Sequence, residues 1–364
     1  MMNKRYFILL LFLALLCGAC ERTLDFEGPE NEKATDLIIN GMAMAGTPLT
    51  VFLSRAYQID KVPSIQYYDY EHAVLFKDDL ATDYLTDDYL AKTAVKDAEV
   101  IVEVNGTESY PMSYNELDFC YTCNYIPQEG DRIKVKATSS GKELSAETVV
   151  PAKPSIEIVE HEVLAENPYQ DMEGLVNQSD TVMRLKCRIT GTSESRYYRL
   201  RVRSERCQTL KTSDQYWKDG EWQRLSYHYY VMQDIYFSDD ELFTDNRLIQ
   251  GFGGWPAYFS TVFEGSQAAG RTFTIDSPKA YVSPEALDFN KTSKDEIPEI
   301  APRVMVELQA ISEDLYKFLK AMQLYRITGN DRDAEPLLIP SNVQNGWGIF
   351  GALSYDRHFV EYGE

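Results

Sequence analysis

The sequence is poor in the residues that build metal and catalytic centres. It contains four histidines and six cysteines in 364 residues, and none of the histidines forms the H-x-x-x-H or H-x-H spacing of a zinc site. It also lacks a G-x-S-x-G nucleophile elbow, a P-loop and a strand followed by G-x-G-x-x-G. These absences argue against a zinc enzyme, a serine hydrolase and a nucleotide-binding protein, so we predict no catalytic residue, no metal and no cofactor.

Long hydrophobic runs are missing as well, with one exception near the N-terminus. Residues 6–16 are uninterruptedly apolar and follow Lys4 and Arg5. The run is shorter than the roughly 20 residues of a membrane-spanning helix and has the length of a signal-peptide core. Gly18 and Ala19 then precede Cys20, an arrangement that resembles the bacterial lipobox. We therefore predict a signal peptide over residues 1–19 and acylation of Cys20, with an ordinary secretory signal as the alternative.

Basic residues are few beyond the signal peptide. The chain from Cys20 onward has 34 Lys and Arg against 57 Asp and Glu, a net charge of −23. This balance argues against nucleic acid as a partner. Acids are numerous enough to hide the two carboxylates of a glycosidase, whose separation a sequence does not reveal. A hydrolase therefore stays open as an alternative.

Cysteines other than Cys20 are also scarce. Cys120 and Cys123 form a C-x-x-C flanked by strand-like aromatic residues, and Cys187 and Cys207 follow later. In an exported protein these four are compatible with two disulfides. We predict that Cys120 and Cys123 are either bonded to each other or two buried thiols, in preference to a redox or metal role. A Cys187–Cys207 bond is doubtful from the spacing of the surrounding strands.

Strand patterns dominate what remains, and we predict a mainly β protein. Residues 20–34 are polar and acidic and indicate a lipidated tether. Residues 35–153 contain three hairpin patterns, including Asn105-Gly106 between alternating valines, and predict an immunoglobulin-like β-sandwich. Residues 154–364 predict a second β-rich domain with a hairpin around residues 191–195. One amphipathic helix is expected over residues 312–327, capped by Ser312 and with an apolar stripe that packs into a core.

The first predicted domain contains a long insertion, residues 58–96, rich in Tyr and Asp. Loops on rigid β scaffolds often carry binding sites, and tyrosine suits protein interfaces. The alternative is that the insertion folds back as extra strands and buries its tyrosines. Under the binding hypothesis the candidate partner contacts are Tyr67, Tyr68, Tyr70, Tyr84 and Tyr89.

Four segments of the sequence resemble a known family. They are LIINGMAMAGTPLTVFLSRAY (37–57), YYRLRV (197–202), RVMVELQAISEDLYKFLKAM (303–322) and SNVQNGWGIFGA (341–352). Together they resemble a large lipoprotein family of Bacteroidetes, known only as a domain of unknown function. The resemblance implies a lipoprotein, often encoded beside TonB-dependent transporters of the SusC/SusD kind, and it implies no catalytic residue.

These observations lead to one expected function and two alternatives. We expect a non-enzymatic lipoprotein of the outer membrane, held by the acylated Cys20, with the cell surface favoured over the periplasmic face. It would be an accessory or binding component of TonB-dependent nutrient uptake, in contact with a transporter complex. The alternatives are a surface hydrolase with paired carboxylates and a structural or adhesive surface lipoprotein. Asp180-Thr181-Val182 also resembles the O-glycosylation sequon of exported Bacteroidetes proteins, so Thr181 is a candidate modification site, although chance occurrence is an equal reading.

Overall fold

The computed structural model describes residues 37–55, 93–169, 181–190, 196–218, 220–233, 236–238, 240–246, 262–280, 301–328 and 338–363. These residues are mainly β, which confirms the predicted fold class. Within these ranges, no helix has the length and hydrophobicity needed to cross a membrane. The strands are β1 (Leu37–Met44), β2 (Thr50–Arg55), β3 (Glu99–Val104), β4 (Glu108–Pro111), β5 (Ser113–Asn115), β6 (Cys120–Thr122), β7 (Arg132–Ser139), β8 (Lys142–Val149), β9 (Ile156–Leu164), β10 (Val182–Ile189), β11 (Tyr197–Lys218), β12 (Glu221–Gln233), β13 (Val262–Glu264), β14 (Thr272–Pro278), β15 (Arg303–Ile311) and β16 (Trp347–Glu361); the helices are a 3-10 helix (Glu241–Asn246), α1 (Gly265–Ala268) and α2 (Glu313–Thr328).

The described strands form one long sheet and two smaller sheets. The long sheet has the order β12-β11-β15-β16-β1-β2-β6-β5, and β13 also pairs with β11. The smaller sheets have the orders β4-β3-β7-β8 and β14-β10-β9. In β16, Phe350 belongs to the core beneath the four-stranded sheet, and Val360 belongs to the core beneath the three-stranded sheet. Because side chains alternate along a strand, these two even-numbered positions place both small sheets on the same face of the long sheet.

The long sheet crosses the boundary that the sequence predicts between residues 153 and 154. Strand β1, from the N-terminal side, pairs in parallel with β16 near the C-terminus, and Ile39 lies opposite Gly348. The described residues from Leu37 onward belong to one compact unit. The two sandwiches therefore share a sheet, and β16 contributes to both cores.

The hairpins predicted from strong turn residues are confirmed. Strand β3 pairs with β4 through Asn105 and Gly106, whose φ angles of 52° and 69° are those of a type I′ turn. Strands β1 and β2 form a second hairpin, and β7 and β8 form a third. In β1 buried and half-buried residues alternate along all eight positions, which is the pattern of a strand with one face in a core.

The hairpin predicted around residues 191–195 is wrong. Strand β10 pairs with β9 and β14 in the three-stranded sheet. Strand β11 lies in the long sheet, between β15 on one side and β12 and β13 on the other. The chain thus passes from one layer of the sandwich to the other between β10 and β11. Alternating apolar residues on both strands satisfy either arrangement, so periodicity does not distinguish a hairpin from such a crossing.

The predicted helix over residues 312–327 is confirmed as α2, Glu313–Thr328. The Ser312 carbonyl accepts the first helical hydrogen bond, from the Tyr316 N–H, at 2.9 Å. The apolar stripe packs on the outer face of the long sheet, where Leu315 is buried and Phe318 and Leu319 contact Leu353 and its neighbours. The Ser312 hydroxyl accepts a hydrogen bond from the Ala352 N–H at 3.1 Å, so the helix start is fastened to β16.

Candidate functional site

A recess of about 540 Å³ opens where the 3-10 helix, β13, α1 and α2 meet. Its wall combines charged side chains of both signs with hydroxyl, amide and aromatic groups. The residues that line it are Glu241, Leu242, Val262, Phe263, Glu264, Ser266, Gln267, Arg271, Tyr316 and Lys320.

Arg271 is held at the recess by two acids. Its Nη2 lies 2.8 Å from Asp240 Oδ1 and 3.8 Å from Glu241 Oε2. The same Asp240 oxygen accepts a hydrogen bond from the Leu242 N–H at 2.8 Å, so Asp240 also caps the 3-10 helix. One carboxylate therefore fixes both the helix start and the guanidinium, and the recess wall is organised before any ligand arrives.

Tyr316 supplies the aromatic part of the wall from α2. Its ring stacks on Tyr197 of β11, with the ring centres 4.3 Å apart and the planes 22° apart. Lys320, one helical turn further along, places its Nζ 5.5 Å from the Tyr316 ring centre. The i, i+4 spacing explains why these two side chains meet on one face of the helix. The ammonium can attract an anionic group while the tyrosine offers a rigid apolar surface.

The recess is suited to holding a small polar ligand that carries both charge signs or many hydrogen-bonding groups. Arg271 and Lys320 present positive charge, and Glu241 and Glu264 present negative charge. Ser266 and Gln267 add neutral donors and acceptors. Within the described residues no group of three or more His, Cys, Asp or Glu side chains is arranged to hold a metal ion.

The sequence does not predict this site. The amphipathic pattern of α2 indicates its apolar stripe and not the flank that carries Tyr316 and Lys320. The i, i+4 placement of an aromatic residue and a lysine was the available signal, but such pairs are common on exposed helix faces. Only the tertiary fold brings Arg271 to the same opening.

A second concentration of charge is buried on the face of the long sheet opposite the core. Glu307 of β15 is only 1% exposed. Its carboxylate accepts a hydrogen bond from Gln309 Nε2 at 2.7 Å, lies 3.7 Å from Arg201 Nη1 and forms a close ion pair with Arg357. Arg201, Glu307 and Arg357 come from three adjacent strands, so this cluster ties β11, β15 and β16 together side by side.

Of the two states predicted for Cys120 and Cys123, the disulfide is not formed: both residues are free thiols, Cys120 buried and Cys123 half-buried. Cys120 begins strand β6, and Cys123 directly follows its last residue. The extended conformation of β6 separates the two cysteines along the strand direction, which opposes a disulfide between them. Burial raises the pKa of the Cys120 thiol to about 12 and also raises the pKa of Cys123, so neither thiol is activated as a nucleophile.

The doubtful second pairing involves Cys187, which is also a free thiol. It lies in the core between the long sheet and the three-stranded sheet, opposite Phe273 of β14 and Ile158 of β9. Burial raises its pKa to about 12. The side chain of Cys207 lies outside the described residues. Cys187 therefore serves as a small apolar core residue.

The remaining predicted site residues are distributed as follows. Cys20 lies outside the described residues, as do the candidate partner contacts in the 58–96 insertion: Tyr67, Tyr68, Tyr70, Tyr84 and Tyr89. Thr181 is described and half-buried just before β10. Its carbonyl accepts a hydrogen bond from the Lys279 N–H at 2.9 Å. Glycosylation of Thr181 stays a prediction.

The segment 341–352, the most distinctive part of the resemblance, has a structural role. The Asn342 side chain mimics a neighbouring strand: its Nδ2 donates to the Phe350 carbonyl at 2.9 Å, and its Oδ1 accepts from the Phe350 N–H at 3.0 Å. Gly351 allows Leu315 of α2 to approach β16, because a Cβ at position 351 would lie 2.9 Å from Leu315 Cβ. The motif therefore joins α2 to the strand that both sandwiches share.

Comparison with known proteins agrees with this picture at the level of the family. A search of curated proteins gives no match. A family model matches residues 21–358, which covers nearly the whole chain after the predicted signal peptide. The match includes β1, α2 and the 341–352 segment. The chain therefore belongs to the family described as Domain of unknown function (DUF4249).

Proposed function

We propose that this protein is a lipoprotein of the outer membrane, anchored through Cys20, that acts as a non-enzymatic accessory or binding component of TonB-dependent nutrient uptake. The Cys17-Gly18-Ala19-Cys20 sequence after an apolar run supports the anchor. Two or more acyl chains on one residue hold a protein firmly, at about 0.8 kcal/mol for each buried CH₂. The cell surface is the favoured face.

The recess is the structural observation that carries the binding role. Arg271 is already fixed by its ion pair with Asp240, so this guanidinium needs little ordering when a ligand binds. Its mixture of charge signs, an aromatic ring and neutral polar groups suits recognition of a small polar nutrient. For contact with a partner transporter, the tyrosines of the 58–96 insertion are the proposed residues.

Cys20→Ala is expected to abolish acylation and to release the protein from the membrane fraction. In this proposal the Cys20 thiol carries the diacylglycerol, so its loss removes the anchor. Metabolic labelling with a palmitate analogue, followed by membrane fractionation, measures both effects. Cys123→Ala is the matched control and should leave labelling and fractionation unchanged. A Cys20→Ala protein that remains labelled and membrane-bound contradicts the anchor.

Affinity purification of the anchored protein from outer membranes is expected to recover a TonB-dependent transporter. Deletion of residues 62–92 should retain the fold and lose the transporter if the tyrosine-rich insertion makes the contact. Mass spectrometry of the purified complex and circular dichroism of the deletion variant measure these outcomes. Recovery of no transporter by the wild-type protein rejects the accessory role, and an unfolded deletion variant rejects the insertion as the binding surface.

The same purified samples test the recess. Native mass spectrometry of the wild-type protein is expected to detect a retained small molecule, and Lys320→Ala should reduce its occupancy because an ammonium at the opening is lost. Lys317→Ala is the matched control, since Lys317 lies on the same helix but pairs with Glu313 at 2.7 Å and does not line the recess. Equal occupancy in all three proteins excludes the recess as the ligand site.

A further inference from the structure

Strand β9 (Ile156–Leu164) forms one edge of the three-stranded sheet. It pairs with β10 on one side, with Glu160 opposite Lys186 and Glu162 opposite Arg184. In the described parts of the chain, no strand pairs with its other side. Hydrogen-bonding groups alternate in direction along an antiparallel strand. The Thr190 N–H donates to the Ser155 carbonyl at 3.0 Å. At the start of β9 the backbone groups of odd-numbered residues therefore point toward β10, and those of even-numbered residues point away from it.

The open edge continues beyond an irregularity in the pairing. The register shifts between Lys186 and Cys187 of β10, so Val159 is an extra residue of β9 that has no direct partner on β10. Beyond it, the even-numbered residues of β9 pair with β10, and the N–H and C=O groups of His161 and Val163 point away from the sheet. The strand start is fixed in place, because the Ile156 N–H donates to Asp356 Oδ2 of β16 at 3.0 Å.

The two faces beside this edge differ in chemistry. On the core side, His161 lies opposite Leu185, and Val163, which is 43% exposed, lies opposite Met183. The other face carries glutamates. Glu160 and Glu162 keep 71% and 60% of their side chains exposed, and their distances to Lys186 and Arg184 are long, at 3.8 and 3.9 Å. The edge therefore presents His161 and Val163 on the core side and glutamates on the solvent side.

We propose that β9 binds an extended segment of a partner protein by strand addition, and that this segment alternates cationic and apolar residues. The outward-facing backbone groups of His161 and Val163 supply hydrogen bonds, while Val163 and the glutamates select the alternating side chains. A second copy of this chain is disfavoured, because pairing two β9 edges with their acidic faces aligned places glutamates beside glutamates. This surface goes beyond the proposed recess and anchor and does not depend on either.

The test uses the full mature chain in detergent and a fluorescent peptide as long as β9 in which Lys and Val alternate. Fluorescence anisotropy is expected to show saturable binding that weakens as salt is added. Val163→Pro should weaken binding roughly tenfold or more, because it removes an outward N–H without removing a bond to β10. Val149→Pro is the matched control: Val149 is an exposed valine at the end of edge strand β8 in the other small sheet, and this variant should bind like wild type.

Charge reversal supplies a second test that does not require a proline. The double variant Glu160→Lys, Glu162→Lys removes only long, exposed ion pairs and should remain folded. It is expected to lose the Lys/Val peptide and to gain a peptide in which Glu replaces Lys. The proposal is overturned if wild type does not bind the Lys/Val peptide saturably, if Val163→Pro binds it equally well, or if the double variant keeps the wild-type preference.

Discussion

Replacing Gly348 by Ala is expected to lower the free energy of unfolding by about 3 kcal/mol or more, one of the two largest effects predicted for this protein. Gly348 has a φ of +110°, which residues with a Cβ rarely adopt, and an added Cβ would lie 2.0 Å from the Ile39 carbonyl oxygen. That oxygen belongs to the backbone of a central strand and has little freedom to move. The substitution therefore forces β1 away from β16 at the point where the two sandwiches share a sheet.

Chemical denaturation of wild type and variants measures this effect, and Gly130→Ala is the matched control. Gly130 also has a positive φ, +86°, but an added Cβ would meet no atom within 4 Å. Gly130→Ala should lower the free energy of unfolding only by the conformational penalty of a positive φ, about 1–2 kcal/mol. The difference between the two variants isolates the contact with Ile39. Equal losses for both would show that β1 and β16 are not packed as closely as the structure indicates.

Glu307→Ala is expected to lower the free energy of unfolding by about 3–5 kcal/mol. Glu307 is buried and interacts with two guanidinium groups, those of Arg201 and Arg357, as well as with Gln309. Removing the carboxylate takes one ion-pair partner from the buried Arg201 guanidinium, and breaking a buried pair costs more than the pair contributes when intact. Urea denaturation followed by intrinsic fluorescence gives the measurement.

Two comparisons make this prediction specific to the buried cluster. Glu147→Ala breaks an exposed ion pair, in which Glu147 Oε1 lies 2.7 Å from Arg132 Nη1, and should cost less than about 1 kcal/mol. Glu307→Gln keeps the shape and one acceptor for Gln309, so its loss of stability should lie between the other two. If Glu307→Ala and Glu147→Ala are equally mild, solvent reaches the cluster and the burial of Glu307 is not maintained in solution.

Local signals account for the features that the sequence predicted correctly. Asn105-Gly106 and the glycine turns of the other two hairpins select their conformations within a few residues, because positive φ angles are cheap only for such residues. The period-two burial of β1 and the i, i+3, i+4 stripe of α2 likewise depend on near neighbours alone. The candidate site was less predictable, since Arg271 and Tyr316 reach one recess from elements far apart in the chain.

The sequence by itself therefore determined the fold class, three hairpins, the helix and the lipobox-like start of the chain. Tertiary structure alone decided that β1 pairs in parallel with β16, that β10 and β11 lie in different sheets, and that Cys120 and Cys123 remain separate thiols. It also brought Arg201 and Arg357 beside Glu307. The physical reason is that a strand's hydrophobic pattern specifies which face is buried but not which neighbour lies beside it. That choice depends on packing between residues distant in sequence, as the contact of Gly348 with Ile39 illustrates.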